Sequence, residues 1–109
     1  MIISITEIEL KSFWKLFRTI QISSKCIKYC KNDAYNLDVK VKSKGWRFHR
    51  TITVWENDEA MRKFIISEPH VLAMKYTPKL SENVKVHHYE SDTIPTWEEA
   101  IDLLKKLHL

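Results

Sequence analysis

Histidine is the side chain that changes charge near neutral pH, so His49, His70, His87 and His88 mark where this chain could move a proton. His70 follows Ser67-Glu68-Pro69 at what reads as the start of a renewed helix. Helix starts recruit polar side chains for local bonding, so a cap against Ser67 competes with a free base there. His49 lies between Phe48 and Arg50 in a β-branched stretch. Strand alternation groups it with Thr51, Thr53 and Trp55, and a satisfied core or interface histidine is the plainer reading. His87 and His88 are adjacent on a strand, so their rings point to opposite faces and cannot form one site by themselves. Cys26 and Cys30 lie four apart on one helix, where a disulfide fits poorly. No further ligand accompanies them at a zinc-type spacing, so reduced, partly buried thiols and no metal are expected.

The bulk properties narrow the classes. One domain, 1–109, is expected, with a net charge of +4 and a pI near 9.1 that permit an anionic ligand without requiring one. The single glycine, Gly45, leaves no Gly-rich phosphate cradle, which excludes P-loop and dinucleotide-binding folds. No apolar run reaches membrane-span length and the N-terminus turns polar at Thr6-Glu7, so a cytoplasmic protein with no membrane partner is expected.

The elements that must position these residues follow from periodicity. A strand is expected over 1–8 and a long helix over 10–31, its apolar side carrying Leu10, Phe13, Trp14, Phe17, Ile20 and Ile27. A second strand over 34–43 alternates Tyr35, Leu37, Val39 and Val41 against Asn36, Asp38, Lys40 and Lys42. Ser43-Lys44-Gly45 makes a hairpin into a third strand, 46–55. Asn57 caps a second helix, Ser67 and Pro69 restart it, and a fourth strand covers 84–90. Thr96-Trp97-Glu98-Glu99 is a capping box opening a last helix whose apolar face carries Trp97, Ala100, Ile101, Leu104 and Leu107. The order β-α-β-β-α-β plus one helix is an α+β, ferredoxin-like sandwich: an antiparallel four-stranded sheet with helices on one face. The other face is expected to be bare in one copy and buried by a second in a homodimer.

An RNA-recognition domain shares that order, but Lys44-Gly45-Trp46-Arg47-Phe48-His49-Arg50-Thr51 breaks its third-strand pattern at Arg47, His49 and Thr51. The first strand has no stacking aromatic, and the first-helix lysines read as a solvated face, so no nucleic-acid partner is expected. A different group fits better. Thr51-Ile52-Thr53-Val54-Trp55-Glu56, the Ala60-to-Phe64 phase and Ser67-to-Lys75 together resemble the dimeric α/β-barrel proteins that include the antibiotic-biosynthesis monooxygenases. The likeness runs from the first strand to Glu90, and the Pro95-Thr96-Trp97-Glu98-Glu99-Ala100 helix is similar to the close of uncharacterised members.

That resemblance implies several activities. Heme-degrading members use a ligating histidine and a tryptophan, and the matching positions here are Met74 and Phe64, which disfavours heme; a shifted ligand, His70 one turn earlier, stays open as the alternative. Cofactor-independent members deprotonate electron-rich planar phenols and need a base, an anion-stabilising donor and an apolar slot. The resemblance then implies His70 or His49 as base, Arg50 or Trp55 as donor, and Phe17, Phe64, Met74 and Tyr76 as slot. Two classes stay open: an oxygenase for a planar hydrophobic molecule, needing no cofactor, or a non-catalytic, small-ligand-binding or stress-related dimer whose interior is filled by Trp14, Phe17 and Phe64.

Overall fold

The computed structural model describes residues 1–107. It comprises β1 (Ile2–Leu10), α1 (Lys15–Asn32), β2 (Asn36–Lys44), β3 (Phe48–Trp55), α2 (Asp58–Ile65), α3 (Glu68–Leu80), β4 (Ser81–Glu90) and α4 (Trp97–Leu107). The strands form one antiparallel sheet in the order β2-β3-β1-β4, the ferredoxin-like arrangement expected from the sequence. Gly45 turns the β2–β3 hairpin at φ +61°, a left-handed conformation that side chains disfavour. The Asn57 carboxamide accepts from the Ala60 N–H at 2.8 Å and starts α2. Asn57→Ala should therefore lower stability by about 1 kcal/mol, read as a shift in urea midpoint at constant slope; an unmoved midpoint would show the cap is not needed.

Register divides the sheet into two faces. On one, Ile3 and Ile5 stand opposite Val54 and Ile52. All four are buried, together with Ala100 and Leu104 of α4. The half of this face expected to be bare is therefore covered by α4, whose predicted capping box forms: Glu99 N–H donates to Thr96 Oγ1 at 3.2 Å and Thr96 N–H to Glu99 Oε1 at 3.4 Å. A helix with one apolar stripe must bury it, and the isoleucine face is the apolar surface within its reach. Past α4 the same face is charged. Arg50 Nε donates to Glu7 at 2.7 Å, with Lys85 near by, while Arg47 bridges Glu9 and Glu82.

The other face is covered by α1, α2 and α3. Three expectations about it change. Helix α1 begins only at Lys15, and it turns Thr19, Ile22 and Cys30 inward, leaving Phe13, Trp14 and Phe17 exposed. Between Asn36 and Asp38 the β2–β3 register shifts, so Leu37 is an extra bulged residue, and both it and Tyr35 are exposed rather than aligned with Val39 and Val41. Helix α3 runs through Pro78 to Leu80 and β4 starts at once, at Ser81. Pro78 has no N–H to give Met74; the Thr77 hydroxyl bonds Ala73 O instead, and Lys11 Nζ reaches Pro78 O at 3.0 Å.

Candidate functional site

Between the sheet and α1 and α3 lies a cleft of about 620 Å³. Its floor is set by strand pairing: Ser4 opposite Thr53, Thr6 opposite Thr51 and Ile8 opposite His49. Val39 and Val41 of β2 flank this strip on one side and Val84 and Val86 of β4 on the other. Four hydroxyls thus sit in an otherwise apolar floor. The α1 wall is a stripe of small residues, Thr19, Ser23, Cys26 and Cys30, at helical spacing. Short side chains there leave space unfilled where the longer aromatics of the same helix would have closed it. Phe64 and Trp55 stack at 5.3 Å and close the inner end.

His70 lines this cleft from the first turn of α3. Ser67, its anticipated capping partner, instead donates its hydroxyl to Phe64 O. The ring Nδ1–H donates to Ile65 O at 3.0 Å, the end of α2. A carbonyl only accepts, so the neutral ring carries its proton on Nδ1 and keeps a lone pair on Nε2. Burial pushes the His70 pKa below its ordinary value, the carbonyl bond opposing it more weakly, so the ring is neutral at pH 7. The unfolded chain then binds the proton more readily than the folded one. Stability contributed by neutral His70 is present above the unfolded pKa, about 6.5, and is lost as pH falls through the depressed folded value. The unfolding midpoint of wild type should drop on acidification through this window, and His70→Asn should flatten that part of the profile. An equal drop in both would assign the acid sensitivity elsewhere.

The remaining anticipated residues divide. His49 borders the cleft, but both ring nitrogens are engaged: Nε2–H with Trp46 O at 2.7 Å and Nδ1 with the Ser43 hydroxyl at 2.8 Å. Trp55 is fully buried and its indole N–H is given to Thr53 Oγ1 at 3.1 Å, so it is a packing anchor and not a ready donor. Arg50 lies on the opposite sheet face, paired with Glu7, because alternation sends neighbours of His49 away from the cleft. Phe64 and Met74 line the cleft. Phe17 and Tyr76 do not: Phe17 points to solvent, and the Tyr76 ring lies under the Arg18 guanidinium at 4.7 Å. The hydrogen bond and charge of Arg18 push the Tyr76 hydroxyl pKa down.

Cys26 and Cys30 both border the cleft as free thiols. The Cys26 thiol contacts Pro69 O at 3.4 Å. Burial raises both pKa values, that of Cys30 to about 12 with help from Cys26 and Asp33, so neither is a ready nucleophile. Among the described residues no three His, Cys, Asp or Glu side chains are grouped to hold a metal, and no helix is long and apolar enough to cross a membrane. A second hollow, about 790 Å³, opens to solvent beside Tyr29 and Tyr35. Its Lys25, Lys28 and Lys63 are offset by Asp33 and Glu59, and among the described residues no histidine or thiol lines it, so the chemistry-bearing groups favour the cleft. The floor hydroxyls of Ser4 and Thr6 and the α1 stripe went unanticipated. Their signals were present in the alternation of Ser4 and Thr6 with Ile3 and Ile5, and in the spacing of Thr19, Ser23, Cys26 and Cys30.

No family profile matches the chain, and no curated protein sequence matches it. Solved structures do. A Deinococcus radiodurans protein assigned as an antibiotic-biosynthesis monooxygenase superposes with a TM-score of 0.74 at 16% identity, over 88% of this chain and 97% of its own. SnoaB of Streptomyces nogalater, a cofactor-independent oxygenase, gives 0.70 at 9% identity, over 87% and 97%. Rv0793 of Mycobacterium tuberculosis gives 0.74 at 6% identity, over 88% and 100%. At these identities the shared property is the fold, that of antibiotic-biosynthesis-monooxygenase-like structures, as the sequence resemblance implied.

Proposed function

We propose that the chain is a cofactor-independent oxygenase that binds a planar, electron-rich aromatic molecule in the cleft, with His70 as its general base. The supporting observation is the state of His70: a neutral ring, tautomer held by Ile65 O, beside an apolar slot. In this reading Nε2 takes a proton from a ring CH₂ that joins two aryl rings, themselves also joined by a carbonyl. The substrate anion supplies electrons to dioxygen. For a ring CH₂ the balance is one O₂ consumed, a C=O formed and one water released. The floor hydroxyls of Ser4, Thr6 and Thr51 are the donors for the anion, in place of Arg50, which lies on the far face. No step requires heme, and Met74 supplies a thioether at the cleft where heme-degrading relatives have histidine.

An oxygen electrode tests this with purified protein and a hydroxylated anthrone. Saturable oxygen uptake above the spontaneous rate, with the quinone as product, is expected. A second reading, a binding protein without turnover, is favoured by one feature: among the described residues no lysine or arginine lines the cleft to stabilise developing negative charge. Saturable binding with no oxygen uptake would replace the first reading by the second.

A further inference from the structure

At the start of α1 an aromatic knob stands in solvent. Phe13 meets Trp14, Phe17 and Trp46 edge-on, with ring centroids 5.8, 6.1 and 6.1 Å apart. Trp14 is 78% exposed and Phe17 60%, and Trp46 belongs to the β2–β3 hairpin, so two separate segments build the knob. A soluble surface gains nothing by clustering large rings in water, and a contiguous exposed apolar patch marks a docking surface. The helix that carries it has charge of one sign, while Arg47 beside Trp46 is paired with Glu9 and Glu82. From Lys11 to Asn32 the chain has six basic residues and no acidic one, and Lys44 flanks Trp46.

We infer that this knob docks the protein on an anionic lipid surface, with Trp14, Phe13 and Phe17 entering the headgroup layer and Lys11, Lys15 and Lys44 meeting lipid charge. Aromatic rings that are apolar on one side and wet on the other suit that interface, and each nearby lysine adds attraction to anionic lipid. Two other occupants fit less well. A second copy related by a two-fold axis would set the same lysines against one another, with no acid between Lys11 and Asn32 to offset them. Single-stranded nucleic acid needs spaced open ring faces for its bases, whereas these rings pack edge to face into one knob. Ile20, exposed one turn beyond Phe17, also lines the cleft, so the patch adjoins its mouth. A planar apolar ligand dissolved in lipid would reach the cleft from there. The contact is peripheral and is compatible with a chain that has no spanning helix among its described residues.

Flotation of the full chain with vesicles of phosphatidylcholine, alone or mixed with an equal part of phosphatidylserine, tests this without substrate. Failure here therefore leaves the cleft reading untouched. Wild type is expected to float with the mixed vesicles and much less with the neutral ones, with a blue shift of tryptophan emission. Trp14→Glu combined with Phe17→Glu should weaken the association by at least about tenfold while circular dichroism and Tm stay as in wild type, since both side chains are exposed. The proposal would be overturned by no flotation with mixed vesicles, by equal flotation of the double variant, or by a wild-type dimer that the double variant makes monomeric while neither floats. Tighter, salt-sensitive binding of a single-stranded oligonucleotide than of vesicles would also overturn it, reassigning the patch to nucleic acid.

Discussion

Replacing His70 with alanine is expected to reduce substrate-dependent oxygen uptake by about 100- to 10,000-fold, the usual contribution of a positioned general base. The loss should fall on kcat more than on KM, because the slot walls of Phe64, Val39 and Val86 remain. The fold should survive. Among the described residues the His70 ring bonds Ile65 O, a net hydrogen bond worth about 1 kcal/mol, and meets Phe64 edge-on at 4.8 Å, while Phe64 keeps its stack on Trp55 when the ring is removed. His70→Asn separates the roles more cleanly, since its carboxamide can still donate toward Ile65 O but cannot take a proton at pH 7. Both variants should unfold near the wild-type midpoint and both should lose turnover. Turnover retained in His70→Asn would remove His70 as the base; collapse of the fold in both would make the residue structural.

Replacing Ile5 with aspartate is expected to cost more than about 4 kcal/mol, a large part of the stability of a small domain. Ile5 is 1% exposed, opposite Ile52 in the sheet and packed in the cluster that Ala100 and Leu104 complete. A carboxylate there has no partner within the cluster, and a buried unpaired charge is among the few substitutions that unfold a domain. Urea denaturation should show a sharply lowered midpoint or no folded baseline. Because α4 belongs to the same chain, the effect should not depend on protein concentration. A variant that keeps its midpoint and merely falls from dimer to monomer in light scattering would show that the isoleucine face is a subunit interface and that α4 covers it only incidentally.

The sheet was legible because its strands alternate. Ser4 and Thr6 against Ile3 and Ile5, and Thr51 and Thr53 against Ile52 and Val54, encode two differently dressed faces, and the register keeps both sets together. The same alternation placed His49 toward the cleft and sent Arg50 away, so Arg50 as a donor contradicted a pattern already visible. Helix α1 was misread for a different reason. Large aromatics at 13, 14 and 17 dominate any hydrophobicity count, while the inward side buries Thr19, Ile22 and Cys30, only one of them a large hydrophobe. Hydrophobic periodicity reports how much apolar surface a helix carries, not which side the tertiary structure buries. Leu37 failed because a bulge adds one residue that strict period-two counting cannot contain. Helix α4 was legible as a capped amphipathic helix, but its seat over Ile3 and Ile5 depends on long-range packing that no local pattern records. For His70 the position was legible and the tautomer was not, since Ile65 O lies five residues back across a helix break.

The most direct measurement is a tryptophan-fluorescence titration of the purified chain with a planar polyphenol, repeated on Trp55→Phe. Trp55 is the tryptophan among the described residues that borders the cleft, whereas Trp14 lies in solvent. An open cleft predicts saturable quenching at one ligand per chain, with the buried, blue-shifted component lost first and missing from the Trp55→Phe response. Linear, unsaturable quenching that is the same in both proteins would mean that nothing enters beside His70, and would contradict the proposed oxygenase and the binding reading alike.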